Sequence, residues 1–308
     1  MDLQRLRTLR ELHHRQTMAA VADALLISAS AVSQQVALLE AELDVKLIER
    51  RGRGVTFTPA GLRLIDHADR IFGLVEAART DLAALKQVIC GEIRIAAFPS
   101  IAATVVPAAM RLARERHPQL DVTLSAMEPS EGLAALRSWQ TDIALIDDLT
   151  LTPDPADERV DRIFLQEDEL FAILPASHRL SVAETVSLAD LRGEKWSLDV
   201  ASNVYSDVIR ERCRQAGFEP QVNGYCNDFE VVLALIKAGC GISVMPALRL
   251  RHVGREVCIK QLNPPIYRRI MIAIRAKEAR NPALCAFIDV LQEAARDFMP
   301  SQGTVGVA

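Results

Sequence analysis

The stretch 17–61 constrains the fold most, because it holds two short segments with helical apolar spacing, a tight corner between them and a glycine-containing turn. Thr17 is a candidate N-cap for the first helix and Ser30 for the second. In the second segment the apolar positions are spaced by four, three and four residues, as on one buried helix face. These positions are Val32, Val36, Leu39 and Leu43. Two helices around a corner are typical of a helix-turn-helix.

The opposite face of the second helix carries small or uncharged polar side chains near its N-terminus. A recognition helix presents this end to base edges in the major groove of DNA, where short hydrogen-bonding groups discriminate between base pairs. We therefore predict that this face reads bases in double-stranded DNA. The predicted base-reading residues are Ala29, Ser30, Ser33 and Gln34.

A basic turn follows this helix and contains Arg50, Arg51 and Arg53, interrupted by Gly52 and followed by Gly54. Glycine permits the backbone conformations of a tight hairpin, and the arginine fork matches phosphate oxygens. A solvated surface turn is the alternative interpretation. Directly after a two-helix unit, the turn favours the wing of a winged helix-turn-helix, with the three arginines as phosphate contacts.

At these positions the chain resembles LysR-type transcriptional regulators, and the likeness extends over nearly its whole length. Three residues depart from the family pattern: Ala29 replaces a frequent glutamine, Gln34 a frequent arginine, and Asp44 a common glycine. The first two departures bear on base preference. The matching residues are Ala22, Leu25, Ser28, Ala31, Ser33, Gln35, Leu39, Glu40, Leu43, Leu47, Arg50, Arg53, Gly54, Thr58, Pro59, Ala60 and Gly61.

The resemblance implies an α+β multidomain protein, with an N-terminal winged helix-turn-helix, a long linker helix and two α/β lobes of periplasmic-binding-protein type. The expected domains are a DNA-binding domain over 1–58, a linker and dimerisation helix over 59–90, and an effector-binding regulatory domain over 91–300. Within the regulatory domain we expect lobe I at about 91–162 and 268–300, and lobe II at about 163–267.

The charge of the chain does not make it a globally basic nucleic-acid binder, since the formal net charge is −4. Residues 1–89 contain 12 Lys and Arg against 11 Asp and Glu, which leaves 24 against 29 in the remainder. DNA affinity must then come from locally placed arginines. The candidates are Arg5, Arg7, Arg10, Arg50, Arg51 and Arg53.

The sequence contains no apolar run long enough to span a bilayer and no secretory signal, so we expect a cytoplasmic protein without membrane contact. The six cysteines form no CxxC pair and cluster with no histidines, which favours reduced thiols and no metal site. A redox pair between Cys213 and Cys226 is the alternative that the pattern leaves open.

A long helix is predicted from Pro59 to about Ile89, with Thr58 as its N-cap. Two series of apolar residues recur every seven positions along it and form one seam. We expect this seam to pair two subunits, because helix-turn-helix proteins read two-fold sites as dimers; packing onto its own chain is the alternative. The predicted dimerisation residues are Leu64, Ala68, Ile71, Val75, Leu82 and Leu85.

Beyond Gly91 strands and helices alternate, which predicts parallel sheets covered by helices. One helix is expected from Ser100 to about Arg116. Ligands of open α/β sheets lie beyond the carboxyl ends of strands. The predicted effector-binding residues at such ends are Ser100, which would hold an anion at a helix N-terminus, Asp147, which would neutralise an amine, and Asn203 and Asn227.

The sequence therefore favours a sequence-specific DNA-binding transcriptional regulator, controlled by an unidentified small-molecule effector between the lobes, without other cofactors. We expect it to bind an interrupted palindrome as a homodimer or homotetramer and to contact RNA polymerase. An α/β enzyme or solute-binding module with a DNA-binding end is the alternative, but nucleotide-binding and hydrolase motifs are absent. An architectural DNA-binding protein, whose cleft would be filled by side chains, is the third interpretation.

Overall fold

The computed structural model describes residues 2–25, 27–51, 54–84, 89–137, 139–152, 157–200, 203–251, 253–276, 278 and 281–298. The chain forms two compact units that divide at about residue 86.

The first unit contains four helices and a two-stranded hairpin among its described residues. Strands β1 and β2 pair antiparallel, with Ile48 opposite Phe57. The elements are α1 (Leu3–Arg15), α2 (Met18–Leu25), α3 (Ala29–Leu43), β1 (Ile48–Arg51), β2 (Gly54–Phe57) and α4 (Pro59–Ala84).

The core of the first unit forms where the three short helices meet the start of α4. Leu9, Leu12, Val32 and Leu39 are fully buried there, and Leu47 joins them from the start of the hairpin. Burying large aliphatic side chains stabilises a fold by about 1.5–3 kcal/mol each relative to exposure, so this cluster fixes the helix arrangement.

Helix α4 has both buried and exposed apolar side chains. Ala68 is fully buried in its own chain, while Leu64 and Ile71 pack partly buried against the same core. The prediction that Ala68 pairs two subunits is therefore wrong, because a seven-residue repeat reports an apolar stripe but not its partner. Further along the helix, Leu74 and Leu82 are 64% and 63% exposed.

Val75 is half-buried, and Leu85 lies outside the described residues. Leu62 near the start of α4 is exposed as well, but Leu74 and Leu82 are the most exposed apolar side chains described on this helix, and a second subunit stays their predicted partner.

The second unit is an α/β structure. Its helices are α5 (Pro99–Ala102), α6 (Val105–Arg116), α7 (Pro129–Arg137), α8 (Asn203–Gln215), α9 (Phe229–Lys237) and α10 (Pro282–Arg296). Its strands are β3 (Cys90–Ala97), β4 (Gln119–Ala126), β5 (Ile143–Asp147), β6 (Val160–Pro175), β7 (Thr185–Val186), β8 (Lys195–Asp199), β9 (Gln221–Cys226), β10 (Ser243–Pro246) and β11 (Val257–Arg275).

Two long strands run through both lobes of this unit. The main sheet has the order β10-β6-β11-β5-β3-β4, and β7 pairs with β11. Strands β3, β4 and β5 are mutually parallel, whereas β11 is antiparallel to both β5 and β6. The expectation of purely parallel sheets was therefore wrong, because the alternation of strands and helices does not reveal a strand that returns from the other lobe.

The expectation of a single helix from Ser100 to Arg116 is also wrong, since α5 ends at Ala102 and α6 begins at Val105. The first lobe packs α5, α6 and α10 on one face of its sheet, with Phe287 and Ile101 fully buried between them. The second lobe buries Trp196 and Leu198 of β8 together with α8.

We predict that Ala68→Asp destabilises the first unit by several kcal/mol, because an isolated carboxylate would replace a methyl group with no exposed surface. Ala19→Asp is the matched control, since Ala19 is exposed on α2 and the same substitution should change stability by about 0.5 kcal/mol or less. Thermal unfolding followed by circular dichroism measures both. Equal melting temperatures would show that Ala68 does not hold this core together.

Candidate DNA-binding face and inter-lobe cavity

Helix α3 is held at its N-terminus by Ser28, not by Ser30 as predicted. Ser28 has an extended backbone, and its hydroxyl accepts a hydrogen bond from the amide of Ala31 at 3.1 Å. Ser30 already lies in the helix, where its hydroxyl is 2.8 Å from that of Ser28. An N-cap residue has an extended backbone, and its side chain accepts a hydrogen bond from an amide two or three residues later in the chain. Ser28 meets both conditions and is therefore the N-cap.

At the C-terminus of α3, Asp44 adopts a left-handed backbone with φ of 51°. This conformation favours glycine, and Asp or Asn are the residues that best tolerate it otherwise. Asp44 therefore keeps the helix end that a glycine would give.

The predicted base-reading residues lie on one exposed end of α3. Ala29, Ser30 and Gln34 are exposed, and Ser33 is half-buried. The next residue, Gln35, turns inward instead and its side-chain oxygen accepts a hydrogen bond from the hydroxyl of Thr8 on α1. The structure thus separates positions that can reach DNA from a position that anchors the helix.

The hairpin is tied to α3 through Glu40. Its carboxylate accepts hydrogen bonds from the amides of Leu47 at 2.8 Å and Ile48 at 3.2 Å, and pairs with Lys46 at 2.8 Å. Burial alone would raise the pKa of Glu40, but these bonds outweigh it and hold the pKa below its usual value. The ionised side chain fixes where the hairpin leaves the helix.

The arginines of the first unit differ in whether their side chains already form ion pairs within the protein. Arg10 forms an ion pair of 2.9 Å with buried Asp69 and stacks over Phe72, so its inclusion among the DNA contacts is wrong. Arg5 pairs with Glu42 at 3.0 Å. Arg50 and Arg51 lie on β1, but their side chains and all of Arg53 lie outside the described residues.

The second unit contains a cavity between its lobes, and the space open to a water-sized sphere is about 60 Å³. Both lobes and the two long strands contribute walls. The lining residues are Phe98, Pro99, Ser100, Glu128, Pro129, Asp147, Thr150, Leu198, Asp199, Tyr205, Ser206, Ile209, Phe229, Ser243, Val244, Met245, Pro246, Arg249 and Arg268.

Arg268 of β11 forms the charged centre of this cavity. Its guanidinium donates to Asp168 of β6, with Nη2 at 2.6 Å and Nε at 3.0 Å from Oδ2. Nη2 also donates to the hydroxyl of Ser100 at 2.6 Å, and the guanidinium lies over the ring of Phe98. Arg268 therefore joins a crossing strand to the first lobe.

Both members of this ion pair are buried, which perturbs their ionisation. Burial lowers the pKa of Arg268, but Asp168 and Asp147 outweigh it and the net pKa is raised. Burial raises the pKa of Asp168, and Arg268 together with the amide of Leu248 opposes that rise. Two donors of Arg268 share Oδ2 of Asp168, and the amide of Leu248 donates to Oδ1, so both carboxylate oxygens have a partner inside the protein.

Asp147 lies at the carboxyl end of β5 and is only 1% exposed. Its Oδ1 accepts from the amides of Leu149 and Thr150 at 3.0 and 2.7 Å, and its Oδ2 is 3.9 Å from Nη1 of Arg268. Asp147 is thus held inside the fold and does not lie in a solvated loop. Asp147 shapes the turn after β5 and adds a second negative charge beside Arg268.

Arg249 follows β10 and presents a second guanidinium to the cavity. Its guanidinium lies 5.1 Å from the ring centre of Phe229. Burial lowers its pKa, while Asp199 and Asp228 act in the opposite direction. Among the described residues, no ion pair or hydrogen bond to this side chain is found, unlike the saturated Arg268.

Two of the four predicted effector residues line the cavity. Ser100 and Asp147 line the cavity, but α5 is only four residues long, and Ser100 bonds to Arg268 rather than capping the helix. The expectation that a helix dipole at Ser100 holds an anion is therefore wrong. Asn227 is exposed and does not line the cavity, and the side chain of Asn203 lies outside the described residues.

The sequence interpretation missed Asp168, Arg268 and Arg249. The sequence does contain a pattern that indicates Asp168 and Arg268, because side chains alternate between the two faces of a strand. Arg268 shares its face with Ile266 and Ile270, and Asp168 precedes buried Leu170 at the same spacing. A charge on an otherwise apolar strand face predicts a buried charge that needs a partner.

The described cysteines are free thiols. Cys213 and Cys226 belong to different buried clusters, and burial raises the pKa of both thiols, to about 12 for Cys213. The redox pair is therefore disfavoured, because the thiolate is the reactive form. No metal-binding cluster occurs in the described part of the chain, and none of its helices has the length and apolar character needed to cross a membrane.

Two family patterns cover most of the sequence. The pattern for the bacterial regulatory helix-turn-helix protein, lysR family, matches residues 3–62, and that for the LysR substrate binding domain matches residues 86–296. The chain belongs to the LysR family. This LysR-family protein is thus a transcriptional regulator with a DNA-binding winged helix-turn-helix and an effector-binding domain.

Curated relatives and solved structures agree with this assignment. The transcriptional dual regulator GltC of Bacillus subtilis (strain 168) is 28% identical over 246 residues, covering 80% of this chain and 81% of GltC. A full-length OxyR from Pseudomonas aeruginosa superposes with a TM-score of 0.74 at 21% identity, covering 96% of this chain and 95% of OxyR. Full-length CbnR complexed with its target DNA superposes with a TM-score of 0.65 at 22% identity, covering 96% of this chain and 100% of CbnR.

We predict that Asp168→Asn destabilises this LysR-family regulator by about 3–5 kcal/mol, because it removes the main counter-charge of a buried arginine. Arg111→Gln is the control, since it breaks an ion pair with Glu115 whose side chains are about half exposed, and should cost about 1 kcal/mol or less. Urea unfolding measures both. The double variant Asp168→Leu/Arg268→Met should recover much of the loss; an equal loss in Asp168→Asn and Arg111→Gln would contradict the assigned role.

Proposed function

We propose that two copies of this regulator bind an interrupted palindrome, each placing the N-terminal half of α3 in one major groove. The observation that carries this proposal is the row of Ala29, Ser30 and Gln34, exposed on one end of a helix that is otherwise anchored through its core face and Gln35. A major groove admits an α-helix, and its base edges offer a distinct pattern for each base pair.

In this proposal the hairpin arginines contact phosphates. Arg50, Arg51 and Arg53 follow a helix whose exit is fixed by Glu40, so the basic turn stays beside the recognition helix. Phosphate contacts set register and orientation, while the α3 side chains discriminate between sequences.

A small-molecule effector occupies the cavity of the second unit. Walls from both lobes enclose it, so a ligand that touches both would favour one lobe arrangement over another and thereby change DNA affinity. Free volume in the cleft argues against an architectural protein whose cleft is filled by side chains. A further role, contact with RNA polymerase, belongs to the same proposal as the means of changing transcription.

The direct test is selection of DNA sequences from a random pool by the purified full-length protein. Enrichment of a two-fold symmetric motif supports the proposal, and binding without sequence preference contradicts it.

Gln34→Arg should shift base preference toward guanine at one position of each half-site, by about 1–3 kcal/mol. Glutamine pairs bidentately with adenine, whereas arginine pairs with guanine. Selection of DNA with wild type and variant side by side measures the shift. Gln4→Arg, an exposed site on α1, is the control for added charge and should raise affinity without changing the motif. An unchanged motif for Gln34→Arg would remove Gln34 from the base-reading set.

Leu82→Asp should convert dimers into monomers, because it places a charge at an exposed apolar position of α4 where the second subunit is proposed to pack. The melting temperature of the first unit's core should stay close to wild type, since Leu82 is 63% exposed within one chain. Light scattering gives the mass and gel shift gives the DNA affinity. Arg63→Asp, at an exposed position near the start of α4, controls for the new charge. An intact Leu82→Asp dimer would move the interface elsewhere.

A further inference from the structure

Most polar side chains that line the cavity already have a partner within the protein. Asp147 accepts hydrogen bonds from the turn after β5, and Ser100 accepts one from Arg268. The hydroxyl of Tyr205 donates to a backbone carbonyl at 3.1 Å. The other lining residues with polar interactions inside the protein are Thr150, Ser206, Glu128 and Asp199. A ligand that used any of these groups would compete with an existing contact.

Two polar side chains of the lining are exceptions, Arg249 and Ser243. In the part of the chain that the structure describes, neither side chain forms a hydrogen bond or an ion pair. Arg249 is half-buried, and its guanidinium lies 5.1 Å from the ring centre of Phe229. Ser243, on β10, is 2% exposed. Buried polar groups are normally hydrogen-bonded, so these two side chains indicate a ligand that supplies the missing partners.

The charge of Arg249 favours an anion. Arginine stays protonated in proteins, so the guanidinium is a cation. Burial lowers its pKa, and Asp199 and Arg268 then act on it through space in opposite directions. A partly buried charge without an ion pair is costly, and a bound carboxylate removes that cost because its two oxygens match the guanidinium fork.

The cavity limits the size of this anion. Its free space of about 60 Å³ is open to water-sized spheres of about 10–15 Å³ each, which gives room for roughly four to six non-hydrogen atoms. The remaining walls are apolar and include Phe98, Pro129, Leu198 and Ile209. A second charged group on the ligand would lose its hydration without gaining a partner there.

We propose that the effector is a 2-hydroxy or 2-oxo monocarboxylic acid of about three carbons, with its carboxylate on Arg249 and its second oxygen at the hydroxyl of Ser243. This rests on the proposed effector role of the cavity and names the class of molecule that fills it. A three-carbon acid of this class has about six non-hydrogen atoms, which the free space accommodates. Its methyl group would face the apolar walls.

The test is titration calorimetry of the full-length protein with pyruvate, L-lactate and D-lactate. Each matched probe changes one feature of these acids. Propionate lacks the second oxygen, lactamide and pyruvamide lack the negative charge, and L-alanine has an ammonium group in place of the oxygen. Malate adds a second carboxylate, and 2-hydroxyisocaproate has a longer side chain.

We expect at least one of the three acids to bind at least tenfold more tightly than every probe. A probe that binds as tightly as the acids overturns the proposed class, and so does binding of none of the three.

Two variants assign the two ends of the ligand. Arg249→Gln should weaken the acid at least tenfold and bring it to the affinity of its amide. Arg249→Lys, which keeps the charge but loses the fork, should retain part of the affinity. Ser243→Ala should weaken the acid to the affinity of propionate and leave propionate itself unchanged. Arg255→Gln, at an exposed position six residues beyond Arg249, is the charge control and should have no effect.

A merely structural role of these residues predicts a different result. In that case Arg249→Gln would weaken the amide as strongly as the acid, and Ser243→Ala would weaken propionate as strongly as the acid. Either result overturns the assignment of that residue. Melting temperatures measured without ligand show whether each variant is folded.

Failure of the ligand class is distinguishable from failure of the regulator function. If another class of molecule changes DNA affinity and Arg249→Gln abolishes its effect, the cavity remains the effector site and the 2-hydroxy or 2-oxo acid is wrong. If no compound changes DNA affinity although a symmetric motif is selected, the DNA-binding function stands and the effector cavity fails.

Discussion

The antiparallel pairing of β6 with β11 is the interaction on which the second unit depends. These strands run side by side from Val257 opposite Pro175 to Arg275 opposite Val160, and so belong to both lobes. Register shifts interrupt the ladder between Gln261 and Ile266 and again after Ile270. The pairing brings Arg268 opposite Asp168, and their side chains meet at the floor of the cavity. One backbone register thus joins the two lobes and forms the buried ion pair on the strands that connect them.

The buried pair constrains what else the cavity can bind. Breaking such a pair leaves a desolvated charge and costs several kcal/mol, so a ligand gains little by competing for Arg268. A ligand must instead use groups that are not already saturated, and the stacked guanidinium of Arg249 is the described cation in that position.

Much of the first unit could be predicted from sequence, because its information is local. Apolar spacing located α3, and Thr58 and Pro59 marked the start of α4, where Gly61 indeed donates to the Thr58 hydroxyl at 3.0 Å. The cavity could be predicted only in part, since its charged residues lie about 100 positions apart in the chain, as Asp168 and Arg268 do. Only the register of two distant strands joins them, and no local pattern encodes that register.

The modest charge of the first unit suits a switchable regulator. Residues 1–89 contain 12 basic against 11 acidic residues, and Arg5 and Arg10 are engaged in ion pairs, which limits the number of cations that can neutralise phosphates. Non-specific attraction then stays weak, because it grows with the number of phosphates neutralised. The coupling free energy between two binding sites is about 1–3 kcal/mol. A change of this size alters the occupancy of a DNA site only where that site is not already saturated with protein. Weak non-specific attraction therefore leaves room for a coupling of this size to change the occupancy of DNA.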